Sequence, residues 1–147
     1  ICDLSPLSYL SRLSRLELDA NEIFDEAPLQ GLGNLGLLSL NENKKIYDLN
    51  YLESLSKLTR LELKNNQISQ IRSLVRNKGI SGEIKLTSNQ LSNTALTVDI
   101  PALMERGIIV EHDEVPIGII KMSDSDFEVS RSVWFDICSF VNLSYLF

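Results

Sequence analysis

Apolar positions recur along the chain in a pattern that neither a single helix nor a single strand explains. Leu13-Ser-Arg-Leu16-Glu-Leu18-Asp-Ala-Asn21-Glu-Ile23 reads L-x-x-L-x-L-x-x-N-x-I. Leu35-Gly-Leu-Leu38-Ser-Leu40-Asn-Glu-Asn43 repeats it 22 residues later, and Leu58-Thr-Arg-Leu61-Glu-Leu63-Lys-Asn-Asn66-Gln-Ile68 after another 23. Ile84-Lys-Leu86-Thr-Ser-Asn89-Gln-Leu91 is a fourth copy, with Gly82 altering its start. Ile108-Ile-Val110-Glu-His-Asp113 is a fifth and looser one. Self-similarity at this period marks a solenoid, in which one repeat cannot bury its apolar side alone and neighbours must stack.

The spacing assigns a structure to each part of the repeat. In L-x-L the two leucines point the same way on a short strand, into the core, and the residue between them points out. The asparagine amide carries both donors and acceptors, so it suits a place where the chain turns and backbone groups need partners. Stacked turn on turn, Asn21, Asn43, Asn66 and Asn89 are expected to form a buried ladder. The linking segments agree in phase: Ile1, Leu4, Leu7 and Leu10 match Ile46, Leu49, Leu52 and Leu55, and Ile68, Ile71 and Leu74 restart the series. Their i, i+3 spacing predicts a helical or 3-10 turn on the outer side. Glu26 breaks the series, standing where Leu4 and Leu49 stand. The extra residue of the third period falls in Asn43-Lys-Lys, a predicted surface bulge. Residues 95–113 read as one more helical turn and strand, with Asp99 as a cap, Pro101 at the first helical position and Gly107 as the stop.

These motifs bring the chain to a family. L-x-x-L-x-x-L-x-L-x-x-N-x-I, present at residues 10–23 and 55–68, resembles the leucine-rich repeats of the 22-residue class, such as the bacterial internalins and the phosphatase-regulator-like repeats. Residues 84–113 resemble the last turns of bacterial members. The resemblance covers residues 1–113. It implies an α/β right-handed solenoid of about five turns, with parallel strands on a concave face and helical or 3-10 turns on the convex face. It also implies that the outward strand positions form the usual contact surface for a protein partner. The compartment is not identified by the sequence, and the resemblance only slightly favours a bacterial cell-surface or secreted location.

Three outward columns can be placed residue by residue. Glu17, Ser39, Glu62, Lys85 and Ile109 lie between the paired core positions. Asp19, Asn41, Lys64, Thr87 and Glu111 form the next column. Arg15, Leu37, Arg60 and Glu83 form the one before, with Gly107 in the fifth copy. The surface mixes signs, and Leu37 and Ile109 are apolar where solvent is expected, so they are candidate anchors. The alternative is that these are only solvated strand positions.

Charge refines this reading. The chain of 147 residues carries a formal net charge of −6, whereas a general nucleic-acid binder is normally basic. Residues 1–56 hold 4 bases and 9 acids, residues 57–85 hold 7 and 2, and residues 86–147 hold 3 and 9, so the net charges are −5, +5 and −6. The basic middle either steers an acidic partner or is a solvated surface with chance clustering. Cys2 and Cys138 lie at opposite ends, too many turns apart for a disulfide in a solenoid, and are read as thiols. The chain opens at Ile1 inside a repeat, without Met or signal peptide, and is expected to be a piece of a longer or processed protein.

Residues 114–147 do not continue the pattern. Their apolar end, with Trp134, Phe135, Phe140, Tyr145 and Phe147, is read as a cap over the last turn or as the start of a following segment. With Asp136 and Asn142 in it, the run is too short for a membrane span.

Several motifs imitate chemistry. Gly31-Leu-Gly33-Asn-Leu-Gly36 spells G-x-G-x-x-G, but a dinucleotide site needs a strand before it and a helix opening within it, whereas here Leu32 and Leu35 sit in repeat register and Gly36 falls at the start of a predicted strand. His112 has no orienting partner in the sequence. Asp124-Ser-Asp126 with Glu128 has too few ligands for a calcium loop. Glu17 and Glu62 share a column two turns, roughly 10 Å, apart, a weak hint of a carboxylate pair without a cleft. No metal or cofactor is expected, and no catalysis. The expected function is protein–protein interaction through the concave face. The alternative is a spacer or targeting arm of a larger bacterial surface or effector protein. Open solenoid ends also leave apolar surface by which copies could associate.

Overall fold

A computed structural model describes residues 2–113. The chain divides into two compact units, Ile1–Glu114 and Val115–Phe147. The expectations for residues 114–147, including the cap, Cys138, the acidic loop and the aromatic run, lie outside the described residues.

Five three-residue strands form one parallel sheet in chain order: β1 Arg15–Glu17, β2 Leu37–Ser39, β3 Arg60–Glu62, β4 Glu83–Lys85 and β5 Ile109–Glu111. The middle residue of each strand points inward. Leu16, Leu38, Leu61, Ile84 and Val110 are in register across the sheet. The second leucine of each L-x-L, such as Leu40, Leu63 and Leu86, is buried just beyond its strand. The connections run over the other side as 3-10 turns at Ser5–Leu7, Ala27–Gly31 and Asn50–Ser54, then as helix α1 Arg72–Arg76. Leu29, Leu32, Leu35, Leu52, Leu55 and Leu58 meet the strand residues in a continuous core. This is the leucine-rich-repeat solenoid that the repeat pattern predicts.

The fifth turn differs in two ways. Ile84 pairs with Val110 and Glu83 with Ile109, so the fifth copy is displaced by two residues from the alignment made on sequence. Ile109 therefore belongs to the Arg15 column and Glu111 to the Glu17 column, and Gly107 lies before the strand. Side chains alternate with period two, so the shift leaves every residue on its expected face. Its cause is a longer connection. Residues 93–105 are helical throughout, as a π stretch Ala95–Asp99 running into α2 Ile100–Glu105. Asp99 consequently caps nothing: it sits inside the helical stretch, buried, and its carboxylate accepts from Arg72 Nη1 at 2.7 Å. Gly107 ends the helix with φ +80°.

Gly82 also has a left-handed φ of +75°, and a Cβ there would stand 2.1 Å from the Thr59 carbonyl oxygen. The altered start of the fourth repeat thus has a steric cause. The first turn has no covering turn among the described residues. Leu10 is 46% exposed there, while Leu32 and Leu55 in the same column are fully buried.

Candidate functional site

The asparagine positions tie the turns together below the strand face. Asn43 Nδ2 donates to the carbonyls of Leu18, Leu40 and Asn41, and Asn66 Nδ2 to those of Leu40, Leu63 and Lys64. Asn66 Oδ1 accepts from Asn43 N at 2.8 Å, and Asn89 Oδ1 from Ile68 N at 3.1 Å. Each amide thus satisfies groups of its own turn and of the turn before. Asn43 and Asn66 are buried, while Asn21 and Asn89, at the two ends of the row, are half-buried. The residue ahead of each asparagine (Ala20, Glu42, Asn65 and Ser88) takes a positive φ of 54–60°. That conformation aims the asparagine side chain inward, and it is strained for Ala, Glu and Ser.

Two structural residues escaped the sequence reading. Asn77 stands in the column of Leu32 and Leu55, one i, i+3 step beyond Leu74, and is buried. Its Nδ2 donates to the Leu52 and Leu55 carbonyls, and its Oδ1 accepts from Gly79 N and Ile80 N. Continuing the leucine count one position would have flagged it. Arg106 donates to the carbonyls of Val75, Asn77 and Ile80, fastening the last turn to the fourth. No sequence signal marked it.

The strand face carries a connected polar network. On β1, Arg15 Nε donates to Glu17 Oε1 at 2.7 Å, and on β3, Arg60 Nε donates to Glu62 Oε1 at 2.7 Å. Between these two R-L-E strands lies β2, with Leu37 flanked by Arg15 and Arg60 and Ser39 flanked by Glu17 and Glu62. Ser39, expected to face outward to a partner, is buried: its hydroxyl donates to Asp19 Oδ1 at 2.6 Å, and Asn41 Nδ2 reaches its oxygen at 3.0 Å. A short hydroxyl is easily covered by the longer polar side chains beside it. Asp19 also accepts from Asn41 N, and Asn41 Oδ1 from Lys64 N, so this column braces successive turns. Together Arg15, Glu17, Asp19, Leu37, Ser39, Arg60 and Glu62 line an open depression of about 220 Å3.

The charges in this network are largely matched. Burial pushes the Glu62 carboxyl up, but hydrogen bonds from Arg60 and Asn41 and the charges of Lys85 and Arg60 outweigh it and leave it below the ordinary range. Lys85 lies 3.7 Å from Glu62 and 3.9 Å from Glu83, and Lys64 bridges to Glu111 at 2.9 Å. The rest of the basic middle is engaged too. Arg72 meets Asp99, Arg76 meets Glu53, Lys57 donates to Asn34 Oδ1 and Lys78 to the Val75 carbonyl. The basic block read along the sequence is therefore interleaved in space with acids and carbonyls of neighbouring turns. Thr87 is half-buried, whereas Ile109 is 67% exposed.

Among the described residues no group of three or more His, Cys, Asp or Glu is placed to hold a metal, and no helix is long and apolar enough to cross a membrane. His112 Nδ1 lies 2.8 Å from the Asp113 carbonyl oxygen.

No family model and no curated protein matches the chain. Solved structures do. The chain is similar to internalin C2 of Listeria monocytogenes, with a TM-score of 0.65 and 36% identity over 77% of this chain and 47% of that one. It is similar to a further internalin (inlF) of that organism, with a TM-score of 0.67 and 29% identity over 84% of this chain and 37% of that one. A leucine-rich-repeat protein of Leptospira interrogans matches with a TM-score of 0.64 and 29% identity over 78% of this chain and 29% of that one. The chain spans less than half the length of each.

Proposed function

The chain belongs to the leucine-rich-repeat family with internalin-like repeats, and we propose that it is a protein-interaction module whose strand face receives a protein partner. The observation that carries this reading is the depression over β1–β3. Leu37, half-buried, stands there between two hydrogen-bonded arginine–glutamate pairs. An apolar anchor ringed by oriented charges is the arrangement that gives an interface both its energy and its register. Ile109 supplies a second apolar point at the far end of the same face.

The matched charges decide how the face is best tested. Reversing Lys64 and Lys85 would set new carboxylates against Glu111, Glu62 and Glu83, so a loss of binding would be confounded with damage to the face. Replacing Leu37 and Ile109 by serine removes the anchors and leaves every ion pair in place. In affinity capture from the native lysate, a partner held by the wild type should be lost with Leu37→Ser/Ile109→Ser and kept with Gln30→Ala on the convex side. Equal retention by all three proteins would overturn the strand-face reading. Absence of any partner would favour the spacer or targeting-arm reading.

A further inference from the structure

Outside the strand face, the edge where each turn leaves its asparagine and enters the convex segment carries an arrangement the repeat does not require. The position after the inward isoleucine or leucine (Ile23, Ile46, Ile68 and Leu91) is Phe24, Tyr47, Ser69 and Ser92 in successive turns. Phe24 is 62% and Tyr47 69% exposed, and serine fills the same place in the next two turns. Packing therefore does not demand the rings. Single exposed apolar residues need no explanation, but these two occupy equivalent repeat positions on adjacent turns, both at the surface.

The next residue in each of these turns is an exposed aspartate. Asp25 Oδ1 accepts from Ala27 N and Asp48 Oδ1 from Asn50 N, both at 3.0 Å. Asp48 Oδ2 also accepts from Asn50 Nδ2 at 3.0 Å, and Asp3 makes the same turn bond to Ser5 N one turn earlier, so the aspartates open their turns while their side chains stay at the surface. Half-buried Glu26 lies close enough that burial first, then the charges of Asp25 and Asp48, raise its carboxyl above the ordinary range. The cations of this edge are Lys44 and Lys45, and Lys45 is drawn to Glu22 at 3.8 Å. Glu22, Asp25, Glu26 and Asp48 outnumber them four to two. On the strand face, by contrast, each of Arg15, Arg60, Lys64 and Lys85 is paired with a carboxylate.

We propose that Phe24 and Tyr47, with Asp25 and Asp48 beside them, form a second docking strip whose occupant is an arginine-bearing segment of a protein partner. The acidic excess selects a cation, and the exposed ring faces select a flat guanidinium over a compact ammonium. Nucleic acid and anionic lipid have the wrong sign for it.

The probe is a fluorescent twelve-residue peptide of alternating arginine and glycine, titrated by anisotropy against the full chain, with lysine–glycine and glutamate–glycine peptides in parallel. The arginine peptide should bind more tightly than the lysine peptide, and the glutamate peptide should not bind. Phe24→Ser/Tyr47→Ser, which installs the residue of turns three and four, should weaken arginine-peptide binding about tenfold. Leu37→Ser/Ile109→Ser should leave it unchanged, so the outcome here is independent of the strand-face reading. Melting curves confirm folding; if the double variant does not fold, Phe24→Ser and Tyr47→Ser singly should each weaken binding about threefold. Equal binding of arginine and lysine peptides, insensitivity to the serine exchanges, loss with the strand-face variant, or no binding would each overturn the proposal.

Discussion

Glu26 is the residue at which the chain departs furthest from its own repeat. It holds the place filled by Leu4 and Leu49, both 1% exposed. Burial raises its carboxyl above the ordinary value near 4.5, aided by Asp25 and Asp48. The Tyr51 hydroxyl, buried in the next turn, is pushed well up by burial and by the charges of Glu26 and Asp48, and it has no hydrogen-bond partner among the described residues. Ionised Glu26 is therefore unfavourable to the fold. A carboxyl with a raised folded pKa binds more protons folded than unfolded, so its contribution to stability falls as pH rises from about 4.5 through the raised value. Glu26→Leu should stabilise the chain by about 1–2 kcal/mol at neutral pH. Its melting temperature should also lack that component of the wild type's decline between acid and neutral pH. A variant no more stable than the wild type would contradict this. The residue ahead of each asparagine makes a second case. Ala20 holds φ +54°, which glycine adopts without strain, so Ala20→Gly should raise stability by about 1 kcal/mol in denaturant titration. A loss would show that the left-handed turn is not strained there.

At the scale of the element, the unit is one turn, and what joins units is the pairing of amides with carbonyls across them. Asn66 donates to Leu40 and Leu63 and receives the Asn43 amide, so Asn66→Ala would strand buried groups in two turns at once. Chemical denaturation should show a loss of about 2–4 kcal/mol, several times that of an exposed substitution such as Gln67→Ala. Equal losses would mean that leucine packing alone joins the turns. This scale also separates what was legible from what was not. Strand positions and inward leucines followed from spacing, because each repeats at fixed phase. The fifth turn did not, because its longer helix shifted the register by two residues, and an alternation of period two looks the same before and after such a shift. Ser39 was misread for a related reason: alternation says which way a residue points, not whether neighbouring side chains cover it. Asn77 and Arg106 act on carbonyls distant in sequence, which a repeat count cannot display.

At the scale of the molecule, the strand face is a ruled surface on which side chains from five turns stand in columns. The sequence showed three blocks of charge, −5, +5 and −6. Among the described residues, folding brings the basic middle against acids from either side, as Lys64 reaching Glu111 across 47 residues illustrates. What stays distinctive on that face is the apolar pair Leu37 and Ile109 among paired charges, and on the neighbouring edge the aromatic pair Phe24 and Tyr47. The columns of the first four turns were readable from spacing alone. The depression was not, since it needs the Arg15–Glu17 and Arg60–Glu62 bonds to shape it.

The most direct test of strand-face recognition is photocrosslinking in the native lysate with a photoreactive residue at position 109, compared with the same residue at position 30 on the convex side. The account predicts a discrete crosslinked partner from position 109 and none from position 30. A partner captured from position 30 and not from position 109 would contradict it.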